Sequence, residues 1–369
     1  MAYDELQPKL RRLPTKTRGA LHNPAPRYGK TRVERDDSID ESEHGASQVT
    51  ECRAVDVRNI ITRNRSPDIP FDQSINPYQG CEHGCIYCFA RPTHAYLDLS
   101  PGLDFETRLT YKSNAAAKLQ HELVQPRYRC KPITLGANTD PYQPVERDLG
   151  ITRDILRVLQ RCRHPVSITT KGSLVTRDID LLADLAGDGL CSVAVSLTTT
   201  DSELKRRMEP RAASHGARLA AIEALSNAGV PVTLLFAPVI PALNDPEMER
   251  IVEQAASAGA RSAAYILLRL PLETRDLFYE WLAAHYPLKA GHVTSLMQQC
   301  RAGADYDNRF GHRMRGTGVF ADLLSTRFEV ACRKHGLANR ETLALRTDLF
   351  EPSLLAMTQA GGQQDLFMG

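Results

Sequence analysis

No segment of this 369-residue sequence stays apolar for long enough to cross a bilayer. The longest apolar stretch, Val230 to Leu243, is interrupted by Pro231, Pro238 and Pro241, whereas a spanning helix needs about 20 consecutive apolar residues. An opening apolar run is missing too: Met1-Ala2-Tyr3-Asp4-Glu5 has nothing of a secretory leader. Large net charge is absent, since 46 Lys+Arg against 44 Asp+Glu leave +2. That balance excludes strong global steering toward a polyanion and leaves room only for local basic patches. No internal repeat is visible. With no leader, the nine cysteines point to a reducing compartment, with thiols serving as ligands or core groups and not as disulfides. The expected location is cytoplasmic, with no membrane partner.

The sequence is 42% hydrophobic and 24% charged, with 23 Gly and 22 Pro. These proportions exclude collagen-like and wholly disordered classes and leave a globular chain, long enough for one large domain or two medium ones. Met1 to Arg35 carries nine Lys/Arg and three Asp/Glu, and residues 36–51 then carry six acids and no Lys or Arg. Such blocks bury little apolar area, so residues 1–65 read as a flexible charged arm. Strand-like and helical stretches then alternate. Pro132 to Gly136 precedes a helical face of Ile151, Ile155, Leu156, Val158 and Leu159. Val166 to Thr170 precedes a helix from Arg177 to Ala186, and Cys191 to Leu197 one from Gly216 to Asn227. Val230 to Phe236 precedes Pro246 to Ser257, with Asp245 as the expected N-cap, and Ala263 to Leu268 precedes a helix around Arg275 to Ala284. An earlier unit begins near Ser74-Ile75-Asn76. Repeated βα units demand a parallel sheet with helices outside, and six units suggest an α/β partial (β/α)6 barrel. The barrel is expected over 66–295, an Arg-rich loop and C-terminal helix over 296–357, and a flexible tail over 358–369.

The chemistry is concentrated in Gly80-Cys81-Glu82-His83-Gly84-Cys85-Ile86-Tyr87-Cys88-Phe89-Ala90-Arg91. Three thiols spaced C-x3-C-x2-C can converge on one face of a tight loop, and Gly80 and Gly84 permit the positive φ angles such a loop needs. Three thiolates can hold three irons of a [4Fe–4S] cube and leave the fourth for a small molecule. A structural zinc site wants four ligands, usually two C-x2-C pairs. Here Cys52, Cys130, Cys162, Cys191, Cys300 and Cys332 are scattered singly. His83 could serve as a fourth ligand only by bending back within the same loop. The spacing favours iron–sulfur over zinc.

The pattern C-x3-C-x-aromatic-C, with Tyr87 as the aromatic, resembles the signature of radical S-adenosylmethionine (SAM) enzymes. Further strings carry the resemblance over nearly the whole chain. They are Arg18-Gly19-Ala20, Ser66 to Phe71, Ser74 to Arg91, Asn138 to Glu146, Met208-Glu209-Pro210-Arg211, Ala237 to Asp245, Leu267 to Leu272 and Arg313-Met314-Arg315-Gly316. Together they look like a bacterial family of uncharacterised radical SAM proteins described as similar to spore photoproduct lyase and "DNA repair photolyase". The resemblance implies a partial TIM-type barrel of the radical SAM type, a [4Fe–4S] cluster on Cys81, Cys85 and Cys88, and SAM as cofactor. It also implies cleavage of SAM to a 5′-deoxyadenosyl radical that abstracts hydrogen from a substrate, with an electron donor such as flavodoxin or ferredoxin.

Carried over residue by residue, the resemblance puts Tyr87 along the adenine and the backbone near Phe89 at its amine. Thr139 and Asp140 become candidates for the methionine amino group, Lys171 and Arg211 for the carboxylate and Ser196 for the ribose. Val239 and Ile240 would flank the adenine. Ordinary strand-end packing is the competing reading for Ser196 and Val239, and a surface lysine for Lys171. Spore photoproduct lyase has a hydrogen-donating cysteine after its second strand. Gly136-Ala137-Asn138-Thr139-Asp140 has none, so the lyase reaction itself is not carried over. Cys130, Cys162, Cys191 and Cys332 read as core thiols, and Tyr142 as a packing tyrosine.

Two outlying features bear on partners. Arg309, Arg313 and Arg315 alternate with Tyr306 and Phe310, a mixture suited to phosphates and unpaired bases, or else to internal pairing with Asp305 and Asp307. Gln363-Gln364-Asp365-Leu366-Phe367 resembles the peptide by which bacterial repair and replication proteins bind the sliding clamp. Gln363 would anchor by its amide, and Leu366 and Phe367 would enter an apolar pocket. The expected function is therefore radical SAM chemistry on a nucleobase in damaged or modified DNA. The alternatives are the same chemistry on RNA or a protein side chain, and a non-enzymatic iron–sulfur module that senses or binds nucleic acid.

Overall fold

The structure, a computed structural model, describes residues 17–28, 49–339 and 344–355. In chain order the strands are β1 (Glu51–Val55), β2 (Thr62–Arg63), β3 (Gln73–Ile75), β4 (Tyr78–Gln79) and β5 (Arg108–Lys112). There follow β6 (Ile133–Leu135), β7 (Val166–Thr170), β8 (Cys191–Ser196), β9 (Val232–Val239), β10 (Ser262–Leu267) and β11 (Ala338–Asn339). The main sheet runs β11-β10-β9-β8-β7-β6-β3-β2, and every pair from β3 to β11 is parallel.

Parallel neighbours need crossovers, and each crossover here contains a helix. These are Ala115–Leu123, Ile151–Arg161, Ile179–Gly187, His215–Asn227, Met248–Ser257 and Val319–Lys334; the helix expected around Arg275 to Ala284 is Glu273–His285, within the last of these crossovers. With helices covering one face and the barrel interior the other, the strands must be apolar nearly throughout. Val232–Val239 accordingly keeps only Ala237 partly exposed. The helix Ile151–Arg161 buries Ile155, Leu156, Val158 and Leu159, and each such side chain contributes about 1.5–3 kcal/mol on leaving water. Among the described residues no helix is long and apolar enough to cross a membrane.

Several sequence expectations need correction. Residues 17–28 and 49–65 are not a loose arm. Gly19 and Ala20 pack beneath the cysteine loop, and β1 pairs with β5 in a second sheet ordered β1-β5-β4. Ile60 is buried, and β2 pairs antiparallel with β3. Charge blocks along the chain conceal these contacts because their partners lie far away in sequence. The rest of the arm, 1–16 and 29–48, lies outside the described residues, as do Gln363, Leu366 and Phe367.

Two expected helices open with a 3-10 turn, Ser173–Asp178 before Ile179–Gly187 and Asp245–Glu247 before Met248–Ser257. The Asp178 carboxylate binds Arg153, Arg177 and the Tyr142 hydroxyl instead of capping, and the helix starts at Ile179. Asp245 accepts from the Ala242 amide and pairs with Arg327, and its helix starts at Met248. The helix Pro287–Gln299 and strand β11 were not anticipated. Residues 344–355 close the end of the barrel away from the strand C-termini. There Phe350 packs on His164 and Tyr128, and the Glu351 amide donates to the Cys162 carbonyl.

Candidate functional site

The loop bearing Cys81, Cys85 and Cys88 follows β3 and the short β4, at the end of the barrel where the parallel strands terminate. Gly80 and Gly84 adopt φ of +78° and +65°, the left-handed region that glycine enters without steric cost. The Cys81 amide donates to the Phe105 carbonyl at 2.9 Å, Gly84 to Cys81 at 3.3 Å and Cys88 to Cys85 at 3.2 Å. These short-range bonds curl the loop so that the three thiols share one region. All three are free; Cys81 and Cys85 are buried and Cys88 is half-buried.

Arg91 holds the loop from behind. Its fully buried guanidinium donates to the carbonyls of Cys85 (2.9 Å), Gly84 (3.3 Å), Pro101 (3.0 Å) and Gly102 (2.9 Å), and it pairs with Glu106. The equally buried Glu106 accepts from the amides of Gly19 (2.9 Å) and Ala20 (2.8 Å). Gly19 lies so close that a Cβ there would sit 1.9 Å from the Gly84 carbonyl oxygen. Arg18-Gly19-Ala20 is thus a strap under the cysteine loop. Neither Arg91 nor Glu106 was singled out from sequence, although Arg91 lies only three residues after Cys88.

Toward the barrel axis, the Tyr87 hydroxyl donates to buried Glu209, which pairs with buried Arg218. Arg218 in turn donates to the Ser196 carbonyl at 2.8 Å. Lys171, just after β7, places its ammonium 5.8 Å from the Tyr87 ring centroid. Asp140 joins three strand ends. It accepts from Thr170 Oγ1 (2.7 Å), the Lys171 amide (2.7 Å) and the Tyr142 amide (2.9 Å), and it faces His83 at 3.3 Å. Burial opposes its ionisation, but His83 and these donors outweigh burial and hold its pKa at about 2.

The thiols behave oppositely. Burial, then Asp140 and the other two cysteines, pushes Cys81 well up; burial, then Glu209, pushes Cys85 up to about 12; burial raises Cys88. Metal cations among the thiols would reverse that order by stabilising the thiolates. Among the described residues, no three His, Cys, Asp or Glu side chains converge as ligands of one metal ion. A cube asks for less, because each thiolate takes a different iron. Three free, mutually close thiols on one glycine-shaped loop fit a [4Fe–4S] cluster in number and chemistry.

A comparison with known families agrees with that geometry: residues 75–255 match the model described as the Radical SAM superfamily. Residues 75–255 form a radical SAM domain. An uncharacterized protein of Mycobacterium tuberculosis is 43% identical over 221 residues, 59% of this chain and 65% of that protein. One from Methanocaldococcus jannaschii is 31% identical over 175 residues, 47% of this chain and 62% of that protein. The match therefore spans less than two thirds of these relatives. Among solved structures, spore photoproduct lyase complexed with dinucleoside spore photoproduct aligns with TM-score 0.54 and 14% identity. That alignment covers 78% of this chain and 80% of the lyase; a lyase mutant gives TM-score 0.55 at 15% identity. These likenesses establish a shared fold.

Around the radical SAM domain's strand ends, several anticipated ligand contacts have partners within the protein. Thr139 Oγ1 donates to the Tyr78 carbonyl at 2.9 Å, and the Asp140 carboxylate is saturated as described. Ser196 is fully buried and its hydroxyl donates to the Ala237 carbonyl at 3.1 Å. Arg211 pairs with Glu82 of the cysteine loop at 2.9 Å through one Nη atom. Val239 and Ile240 are fully buried at the end of β9. Phe89 is exposed beside the loop, with the Arg269 guanidinium 5.1 Å from its ring centroid. Lys171 keeps its ammonium in no ion pair among the described residues.

In the Arg-rich loop two of the three arginines pair with carboxylates, the second of the two readings offered by the sequence. Arg309 grips Asp307 through Nε and Nη2, and the little-exposed Arg313 forms a two-pronged pair with Asp68. Arg315 stacks 4.7 Å from the Tyr265 ring centroid. Tyr142 is buried with its hydroxyl on Asp178 at 3.1 Å, as a packing residue should be. Cys162, Cys191 and Cys332 are buried core thiols, whereas Cys130 is half-buried.

The Tyr87–Glu209–Arg218 chain carries a pH prediction. Burial alone would raise the Glu209 pKa, but Arg218, Lys171 and the Tyr87 hydroxyl hold it at about 2 against an ordinary 4.5. A folded pKa below the unfolded one contributes stability that is complete above the unfolded value and lost as pH falls through the folded value. Here that contribution is about 3 kcal/mol. The urea midpoint of the metal-free protein should fall between pH 5 and pH 2, and Glu209→Gln should flatten that fall. Identical pH profiles for the two proteins would refute the assignment.

Proposed function

We propose that this protein is a radical SAM enzyme acting on a nucleobase in damaged or modified DNA. The observation that carries the enzymatic reading is the convergence of Cys81, Cys85 and Cys88 in one glycine-shaped loop across the strand ends of a parallel barrel. When bound there, a [4Fe–4S] cluster supplies the single electron that splits SAM into methionine and a 5′-deoxyadenosyl radical able to take a hydrogen atom. The chain's own residues do the positioning. Arg91 and Glu106 fix the loop's backbone so that the thiols keep their spacing. Glu209 holds the Tyr87 hydroxyl and thereby the orientation of its ring, and Lys171 presents an unpaired ammonium beside that ring, suited to a ligand carboxylate. Burial of this wall keeps bulk water from a reactive radical.

A nucleobase substrate is supported by fold likeness and by side chains at the same barrel end. Solved complexes of spore photoproduct lyase hold AdoMet and dinucleoside spore photoproduct. In this chain Phe89 offers an exposed ring next to the third cysteine. A low-potential donor such as flavodoxin or ferredoxin would supply the electron.

The test is anaerobic reconstitution with iron, sulfide, SAM and reductant, followed by assay for 5′-deoxyadenosine. Release of the nucleoside, with deuterium acquired from labelled DNA, is expected. An intact cluster that never cleaves SAM would refute the enzymatic reading. Deuterium from labelled RNA or peptide, with none from DNA, would refute the substrate.

A further inference from the structure

Most of the arginines near the site face a carboxylate: Arg91 meets Glu106, Arg211 Glu82, Arg218 Glu209 and Arg313 Asp68. Arg269, two residues beyond β10 at the same barrel end, does not. Among the described residues its Nη atoms reach only Met314 Sδ at 3.7 Å and the Tyr306 hydroxyl at 3.5 Å, and its buried Nε has no partner. Near it lies a second guanidinium with no ion pair among the described residues. Arg301 is almost fully buried and donates to the carbonyls of His312 (3.0 Å) and Leu268 (2.8 Å). Arg269 and Arg301 are near enough for their charges to act on one another, beside the exposed ring of Phe89.

Among the described residues no carboxylate forms an ion pair with either guanidinium. A groove of about 600 Å³ opens beside Tyr306, lined also by Leu270, Glu273, Arg275, Asp276 and Asp305. Its acids have partners: Glu273 pairs with Arg27, Asp276 and Asp305 share Arg275, and Asp305 also accepts from the Tyr279 hydroxyl and the Gln298 amide. The Asp307 carboxylate is taken by Arg309. Arg269 meanwhile lies against Phe89, with its guanidinium 5.1 Å from the ring centroid. A guanidinium with free donors beside an exposed ring matches the two halves of a nucleotide, a phosphate oxygen and a base face.

We propose that Arg269 binds a backbone phosphate of the substrate strand while Phe89 stacks on an adjoining unpaired base, so that the strand is held beside the cysteine loop. This inference rests on the nucleobase reading above and names the residues through which the strand would be held. The phosphodiester chemistry is common to DNA and RNA, and the two are separated by the arms of the test.

The test is fluorescence anisotropy with the full-length, anaerobically reconstituted protein and labelled single strands of about ten nucleotides, deoxy and ribo, across a salt series. Arg269→Gln should weaken binding about tenfold and lower the salt slope by about one counterion, whereas Arg269→Lys should keep the slope. Phe89→Leu should cost about tenfold with a base-bearing strand and little with an abasic one. Arg157→Gln, which removes an equal charge from an exposed helix, should change neither quantity. Wild-type protein that binds neither strand would overturn the nucleobase reading and this inference with it. Binding in which Arg269→Gln matches the wild type would overturn this inference alone. Preference for the ribo strand by more than about tenfold would support the phosphate contact and overturn the choice of DNA.

Discussion

Alanine at Cys81, Cys85 or Cys88 is expected to abolish iron retention, one substitution being as damaging as three. The loop supplies three thiols, and no neighbour is placed to replace one. His83 is held by Asp140, and Glu82 is taken by Arg211 and Thr50. Cys191 and Cys300 are buried elsewhere in the core. Removal of one ligand from a site that already has the minimum leaves a second iron without protein coordination, and such a cluster does not survive purification. Iron content should fall from about four atoms per chain to near zero, together with visible absorption and 5′-deoxyadenosine release. Cys191→Ala should keep its iron. Any one of the three loop variants that retained a full complement would refute the ligand assignment.

The second large effect concerns a residue that touches no thiol. Glu106 is fully buried, and its two oxygens serve Arg91 and the amides of Gly19 and Ala20. Glu106→Ala removes the only carboxylate paired with Arg91 among the described residues. Breaking a buried ion pair from one side costs about 3–5 kcal/mol, because the remaining charge stays out of water without compensation. Two backbone N–H groups lose their acceptor as well, at about 1–3 kcal/mol each where they stay buried. The urea midpoint should drop accordingly, and the strap at 17–28 should become open to proteolysis. Gly19→Ala should open the same strap by a different route, since its Cβ has no room beside the Gly84 carbonyl. A Glu106→Ala protein within about 1 kcal/mol of wild type would refute the strap.

Much of this organisation was legible in the chain. Short aliphatic runs alternating with helical faces identify parallel strands and their crossovers, because both periodicities are local. The three cysteines and their two glycines were readable for the same reason, lying within nine residues of one another. Arg91 carries no such mark; its importance comes from Glu106, Pro101 and Gly102, which reach it only after the chain has turned. Asp245 looks like a helix cap in sequence, yet Arg327 on another element claims its carboxylate.

Spacing along the chain by itself determined the class of fold and the grouping of three thiols, since hydrogen-bond periodicity and loop-borne thiols are set by residues close together. Only the tertiary structure decided which charges are free. Tyr87 finds Glu209 across 122 residues and Arg313 finds Asp68 across 245, and no local pattern records such meetings. Whether an arginine neutralises a neighbour or awaits a ligand depends on which side chains the barrel brings within 4 Å, and that is settled when the strands pair.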